Sequence, residues 1–108
     1  MAEVKFTPDA LEDLKEIKAY ITEELCGETA AKNTIEKIMK RIRQLAVFPE
    51  LGAPLSSIVG FEVPYRFLVC ANYIAFYKVE GERVHIIRVL YGRRNYMQIL
   101  FGKSSEDI

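Results

Sequence analysis

The chain has 108 residues, half of them apolar, with only six glycines and four prolines; this is one cored domain's length, and the composition excludes a disordered or low-complexity chain. Apolar runs such as "YIAFY" fall far short of the roughly 20 residues a bilayer span needs, and "MAEVKFTPDA" lacks a secretory apolar segment, so a cytoplasmic location with no membrane partner is expected. The zero net charge hides an asymmetry, because residues 1–64 carry 8 basic and 11 acidic side chains, residues 65–103 carry 7 and 2, and the tail "SSEDI" adds two acids.

In chain order, "EVKF" alternates as a short strand and stops at "TPDA". There Thr7 suits an N-cap, Pro8 the first helical position and Asp9 the positive end of the helix dipole. Leu11, Leu14, Ile17, Ile21 and Leu25 then recur every three or four residues, predicting an amphipathic helix with Glu12, Asp13, Lys15, Glu16 and Glu23 toward solvent. Gly27 is a helix stop, since glycine tolerates the left-handed conformation. Ala31, Ile35, Ile38, Ile42 and Leu45 mark a second helix, and a short connection makes the pair an antiparallel hairpin.

"FPELGAPLSSIVG" is rich in turn formers and reads as a loop of about a dozen residues, long for a compact domain. Three aromatic and β-branched runs follow, "YRFLV", "YIAFYKV" and "RVHIIRVLY", separated by hairpin-length segments. They predict an antiparallel meander with "EVKF" at an edge. Sheet and hairpin each expose an apolar face, so each covers the other. The expected fold is α+β, an N-terminal helical hairpin on a small, mostly antiparallel sheet, forming a single domain over residues 1–103 with a short acidic tail at 104–108.

Few residues read as catalytic. His85, the only histidine, lies mid-strand with no Cys, Asp or Glu at ligand spacing, which favours a structural or solvent-facing role. Cys26 and Cys70 are far apart, without a CxxC, and read as free thiols. No metal cluster and no glycine-rich phosphate loop is present in the sequence, so neither metal nor cofactor is expected. What remains is a basic and aromatic set, Arg66, Arg88, Tyr91, Arg93, Arg94 and Tyr96. Arginine's planar fork matches phosphate or carboxylate, and tyrosine stacks on bases or anchors protein contacts. The alternative is that these arginines keep a sheet edge soluble.

The order "FTPDA", "DL", "YI", then "FPELG", then "YIAFYKVEGERVHIIRVLYGRRNY" resembles the RelE/ParE superfamily of type II toxin–antitoxin toxins, over about residues 4 to 100. The resemblance implies the fold just described and a cognate antitoxin as partner, with operator DNA met only through that antitoxin. It also implies one of two targets. RelE-like members cleave messenger RNA on the ribosome without a metal, and ParE-like members poison DNA gyrase.

An RNase must activate a 2′-hydroxyl, stabilise the phosphorane and protonate the leaving oxygen. The resemblance puts Ile74 where RelE-like strands carry an essential arginine, and Tyr91 where many relatives carry histidine. "LGAPLSSIVGFEV" also lacks the basic run of that branch. Arg66, Tyr91, Arg93, Arg94 and Tyr96 are what an altered RNase site would have to use. The "FP.LG.PL", "YR" and "RVL.GRR" segments resemble the ParE-like branch, whose inhibition by binding needs no catalytic set, and this is the favoured reading. On it, Arg66, Arg88, Tyr91, Arg93, Arg94 and Tyr96 form the target surface. A third reading is an inactive homologue that acts only in an autoregulatory complex.

Overall fold

The computed structural model describes residues 1–25, 27–92 and 96–102. A short strand β1, Glu3–Phe6, leads into helix α1, Pro8–Tyr20. The start of α1 is as expected, with the Thr7 side chain accepting from the Ala10 backbone N–H and Pro8 at the first position. Its buried face is rotated from the predicted one. Ala10, Asp13, Ile17 and Ile21 are buried, whereas Leu11 is 49% and Leu25 59% exposed.

Two physical reasons account for the rotation. Ala10, with no exposed surface, is small enough to bring the helix close to the sheet, and Asp13 finds partners there. At its far end α1 continues as a π-turn over Ile21–Leu25. Its i→i+5 bonding breaks the 3.6-residue period, and Leu25 leaves the stripe. Gly27, at φ 88°, then turns the chain into α2, Glu28–Arg43, which buries Ala31, Ile38 and Ile42 as predicted, with Leu45 following in a single 3₁₀ turn.

The segment predicted as one loop contains two short elements, β2 at Ala53–Pro54 and α3 at Ser56–Val59. Strands β3, Arg66–Cys70, β4, Tyr73–Glu80, and β5, Arg83–Tyr91, form the meander. A last helix α4, Tyr96–Phe101, returns Met97 to the interior. The sheet order is β1-β5-β4-β3-β2, with β1 parallel to β5 and the other pairs antiparallel. A bulge opposite Phe76 and Tyr77 shifts the register of β5.

Both sheet faces are covered. Leu68, Cys70, Tyr73, Ala75, Tyr77, Val84, Ile86 and Val89 pack on the α1–α2 hairpin. Leu55, Val59, Phe76, Leu90 and Met97 form a second cluster beneath α3 and α4. Val89 and Leu90 are thus on opposite faces and both buried, so this part of β5 reads as a continuous apolar run. Cys70 is a buried free thiol, and Cys26 lies outside the described residues. His85 is half-buried on β5, in register with Lys5 and Lys78. Among the described residues no helix is long and apolar enough to cross a membrane.

Candidate functional site

The site builds outward from β5. Strand β1 pairs with Arg83–Ile86, so from Ile87 onward no strand among the described residues covers that side of β5. The start of α1 takes its place. The Thr7 backbone N–H donates to the Ile86 carbonyl at 3.0 Å, its hydroxyl donates to the Ile87 carbonyl at 2.8 Å, and Asp13 accepts from the Val89 N–H at 2.9 Å. Asp13 also receives both arms of Arg88, at 2.7 and 2.8 Å. This bidentate pairing, ahead of the opposing cost of burial, raises the Arg88 guanidinium further above its ordinary range. Asp13 is only 5% exposed, and a carboxylate at that depth requires such partners.

Arg66 is engaged in a different way. Its Nε and Nη2 donate to the Gly52 carbonyl at 3.1 and 2.7 Å, and Nη2 also reaches the Glu50 carbonyl at 3.2 Å. The buried Tyr77 hydroxyl accepts from the Gly52 N–H at 2.9 Å and donates to the Pro49 carbonyl at 2.8 Å. Strands β3 and β4 therefore clamp the "FPELG" segment between one guanidinium and one phenol. Gly52 is required by packing, since a Cβ there would meet the Phe67 carbonyl group and lie 2.8 Å from the Tyr77 hydroxyl.

Tyr91 ends β5, 42% exposed, with its ring edge-to-face on Tyr73 at a centroid distance of 5.7 Å. Gly92 donates to the Asn72 carbonyl at 2.9 Å, which ties the exit of β5 to the β3–β4 turn. Arg93, Arg94 and the Tyr96 side chain lie outside the described residues. Of the predicted set, then, Arg66 and Arg88 engage different partners, backbone carbonyls of residues 50 and 52 in one case and Asp13 in the other, while Tyr91 is partly exposed. Ile74 is half-buried and packs into the second cluster, beneath the β5 exit.

Between the helix hairpin and this end of the sheet runs a groove of about 770 Å³. One wall is Glu16, Ile17, Tyr20, Ile21 and Leu25; the other is Ala30, Thr34 and Lys37; the floor is Ala71 to Tyr73 with Val89 to Tyr91. Burial first, and then the neighbouring hydroxyls of Tyr91 and Tyr20, push the Tyr73 phenol up from its ordinary value. Sequence reasoning missed Asp13, Tyr20, Tyr73 and Tyr77. Asp13 does carry a signal, sitting three residues after Ala10 and four before Ile17, on the stripe that is buried. Among the described residues no three His, Cys, Asp or Glu side chains converge as metal ligands.

The family of the ParE toxin of type II toxin-antitoxin systems, parDE, matches residues 4–96. Among solved structures, the chromosomal ParDE toxin-antitoxin system from P. aeruginosa contains a chain 26% identical, with a TM-score of 0.67 over 84% of this chain and 96% of that one. The E. coli DinJ-YafQ complex contains a chain 15% identical, with a TM-score of 0.53 over 94% of this chain and all of that one. YafQ from E. coli strain BL21(DE3), at 16% identity and a TM-score of 0.51, shares the fold likewise. No curated protein sequence is significantly similar to the chain.

Proposed function

The chain belongs to the ParE toxin family of type II toxin–antitoxin systems, and from that premise we propose that it arrests growth by binding and poisoning DNA gyrase, and that a cognate antitoxin holds it in check. The observation that carries the choice of target is the fate of the arginines. Arg66 is bound to the Glu50 and Gly52 carbonyls and Arg88 to Asp13, so neither guanidinium presents a full fork to a phosphorane, and Ile74, in register with Val69 and Leu90 on the central strand, supplies an apolar side chain. A protein that inhibits by docking needs a shaped surface instead, and the Tyr91 end of β5 supplies one, held by Gly92 and followed in sequence by Arg93, Arg94 and Tyr96.

The antitoxin's seat in this reading is the groove between hairpin and sheet. Its Tyr20 and Leu25, 54% and 59% exposed, are large apolar groups that a tail folding on binding would cover. Purified protein added to a gyrase supercoiling reaction and, separately, to ribosomes programmed with message separates the targets. Inhibition of gyrase, relieved by the antitoxin, is expected. Message cut only when ribosome-bound would replace this reading with the RNase one, and no effect in either reaction would favour an inactive homologue.

A further inference from the structure

Tyr20, Tyr73 and Tyr91 come from three different elements, α1, β4 and β5, and meet in one groove. Tyr73 forms the floor at 8% exposure, while Tyr20 and Tyr91 remain 54% and 42% exposed. The Tyr73 and Tyr91 rings meet at 68°, giving two non-parallel aromatic surfaces in place of a flat stack. Glu16 stands one helical turn before Tyr20 on the same side of α1 and lines the same groove. Asp13, the groove's other carboxylate, is neutralised by Arg88, so Glu16 is the acid left to meet a ligand. The groove's one lysine, Lys37, is on the opposite wall with Ala30 and Thr34.

We propose that Tyr20, Tyr73, Tyr91 and Glu16 form an aromatic cage that receives a cationic side chain, arginine or lysine, projecting from the antitoxin's otherwise apolar tail. The chemistry is that of aromatic faces and a carboxylate around a partly desolvated cation. The inference rests on the antitoxin reading and adds what that reading lacked, the chemical identity of the anchor. It also reverses the simplest expectation from charge, which would have acidic antitoxin residues meet the basic C-terminal half. Lys37 opposes the cation from across the groove, so it tunes the affinity downward.

The cage is testable apart from the antitoxin. Ring resonances of Tyr20, Tyr73 and Tyr91 are followed by NMR during titration with N-acetyl-arginine amide and with its neutral isostere N-acetyl-citrulline amide. Saturable shifts on all three rings are expected, with the arginine compound bound about 5- to 10-fold more tightly. Glu16→Gln and Tyr91→Ala, both at exposed positions, should each weaken it, and Lys37→Gln should strengthen it. Equal response to the two compounds, or indifference to Glu16→Gln and Tyr91→Ala, overturns the cage. In parallel, the polypeptide encoded by the adjacent reading frame is tested for binding to the unaltered chain and to the two weakening variants. Binding that drops in the variants supports the proposal, and binding unchanged in them overturns it. A lack of binding even to the unaltered chain overturns the antitoxin reading itself, an outcome the arginine titration distinguishes.

Discussion

Replacing Asp13 by alanine removes one carboxylate that serves three donors, both arms of Arg88 and the Val89 N–H. A partly buried guanidinium and a buried amide would be left without an acceptor, a change that costs about 3–5 kcal/mol. For a domain whose total stability is on the order of 5–15 kcal/mol, urea unfolding should show a large loss. Asp13→Asn combined with Arg88→Gln should lose less, because it keeps an acceptor for Val89 and strands no charge. The pair was illegible in the sequence. Asp13 reads with Glu12, Lys15 and Glu16 as part of a solvated face, and Arg88 and Val89 reach it where β1 has ended and the β5 bulge has shifted the register.

Cys70 offers a second residue-scale prediction. Burial, partly offset by Arg41, pushes its thiol up from 9.0 to about 11. Well below pH 9 both folded and unfolded states keep this proton, so the thiol adds no pH dependence there. Between pH 9 and 11 the unfolded chain loses this proton and the folded chain keeps it, so stability should fall, by roughly 2–3 kcal/mol across the window. The difference in unfolding free energy between the native chain and Cys70→Ala, followed over that window, isolates the effect from the tyrosines and lysines. A constant difference would contradict it.

At the scale of elements, what was legible followed length and periodicity. The two long helices and three meander strands repeat their patterns often enough to be seen, whereas β2 has two residues and α3 four, too few for any period to register. The "FPELG" segment looked like an open loop because its turn residues are visible in sequence and its clamps, Arg66 and Tyr77, are 14 or more residues downstream. Tyr77→Phe should cost about 1–3 kcal/mol by stranding the buried Gly52 N–H, and it should raise hydrogen exchange at residues 50–52 before the rest of the sheet. Gly52→Ala should cost more, since the added Cβ meets β3 backbone that cannot move aside. Equal stability of Gly52→Ala and the native chain would show that the clamp does not fix this segment. Arg66, expected as a target contact, has a described role here as the clamp's second half, and Arg66→Lys should loosen the same residues by losing the fork.

For the whole molecule, α+β class, hairpin, meander and the edge position of β1 were all readable, because each apolar face in the sequence has one partner able to cover it. The second sheet face was less so. Its cover comes from the short helices α3 and α4, whose apolar residues, Val59 in one and Met97 with Leu100 in the other, are too few to show a period. The candidate site was readable only in outline. The sequence points to the β5 exit through its density of arginine and tyrosine, but two of the arginines prove to be engaged within the fold, and the groove's tyrosines are spread over 72 positions from Tyr20 to Tyr91. The central claim is that this surface acts on gyrase by docking, with no cleavage of RNA. Its most direct test is to incubate purified gyrase, ATP and relaxed plasmid with the protein and to quantify supercoiled and covalently cleaved DNA after denaturation. Loss of supercoiling with accumulation of cleaved plasmid, reversed by prior mixing with the antitoxin, is the predicted result; normal supercoiling with no cleaved plasmid, at protein concentrations that arrest growth, would contradict it.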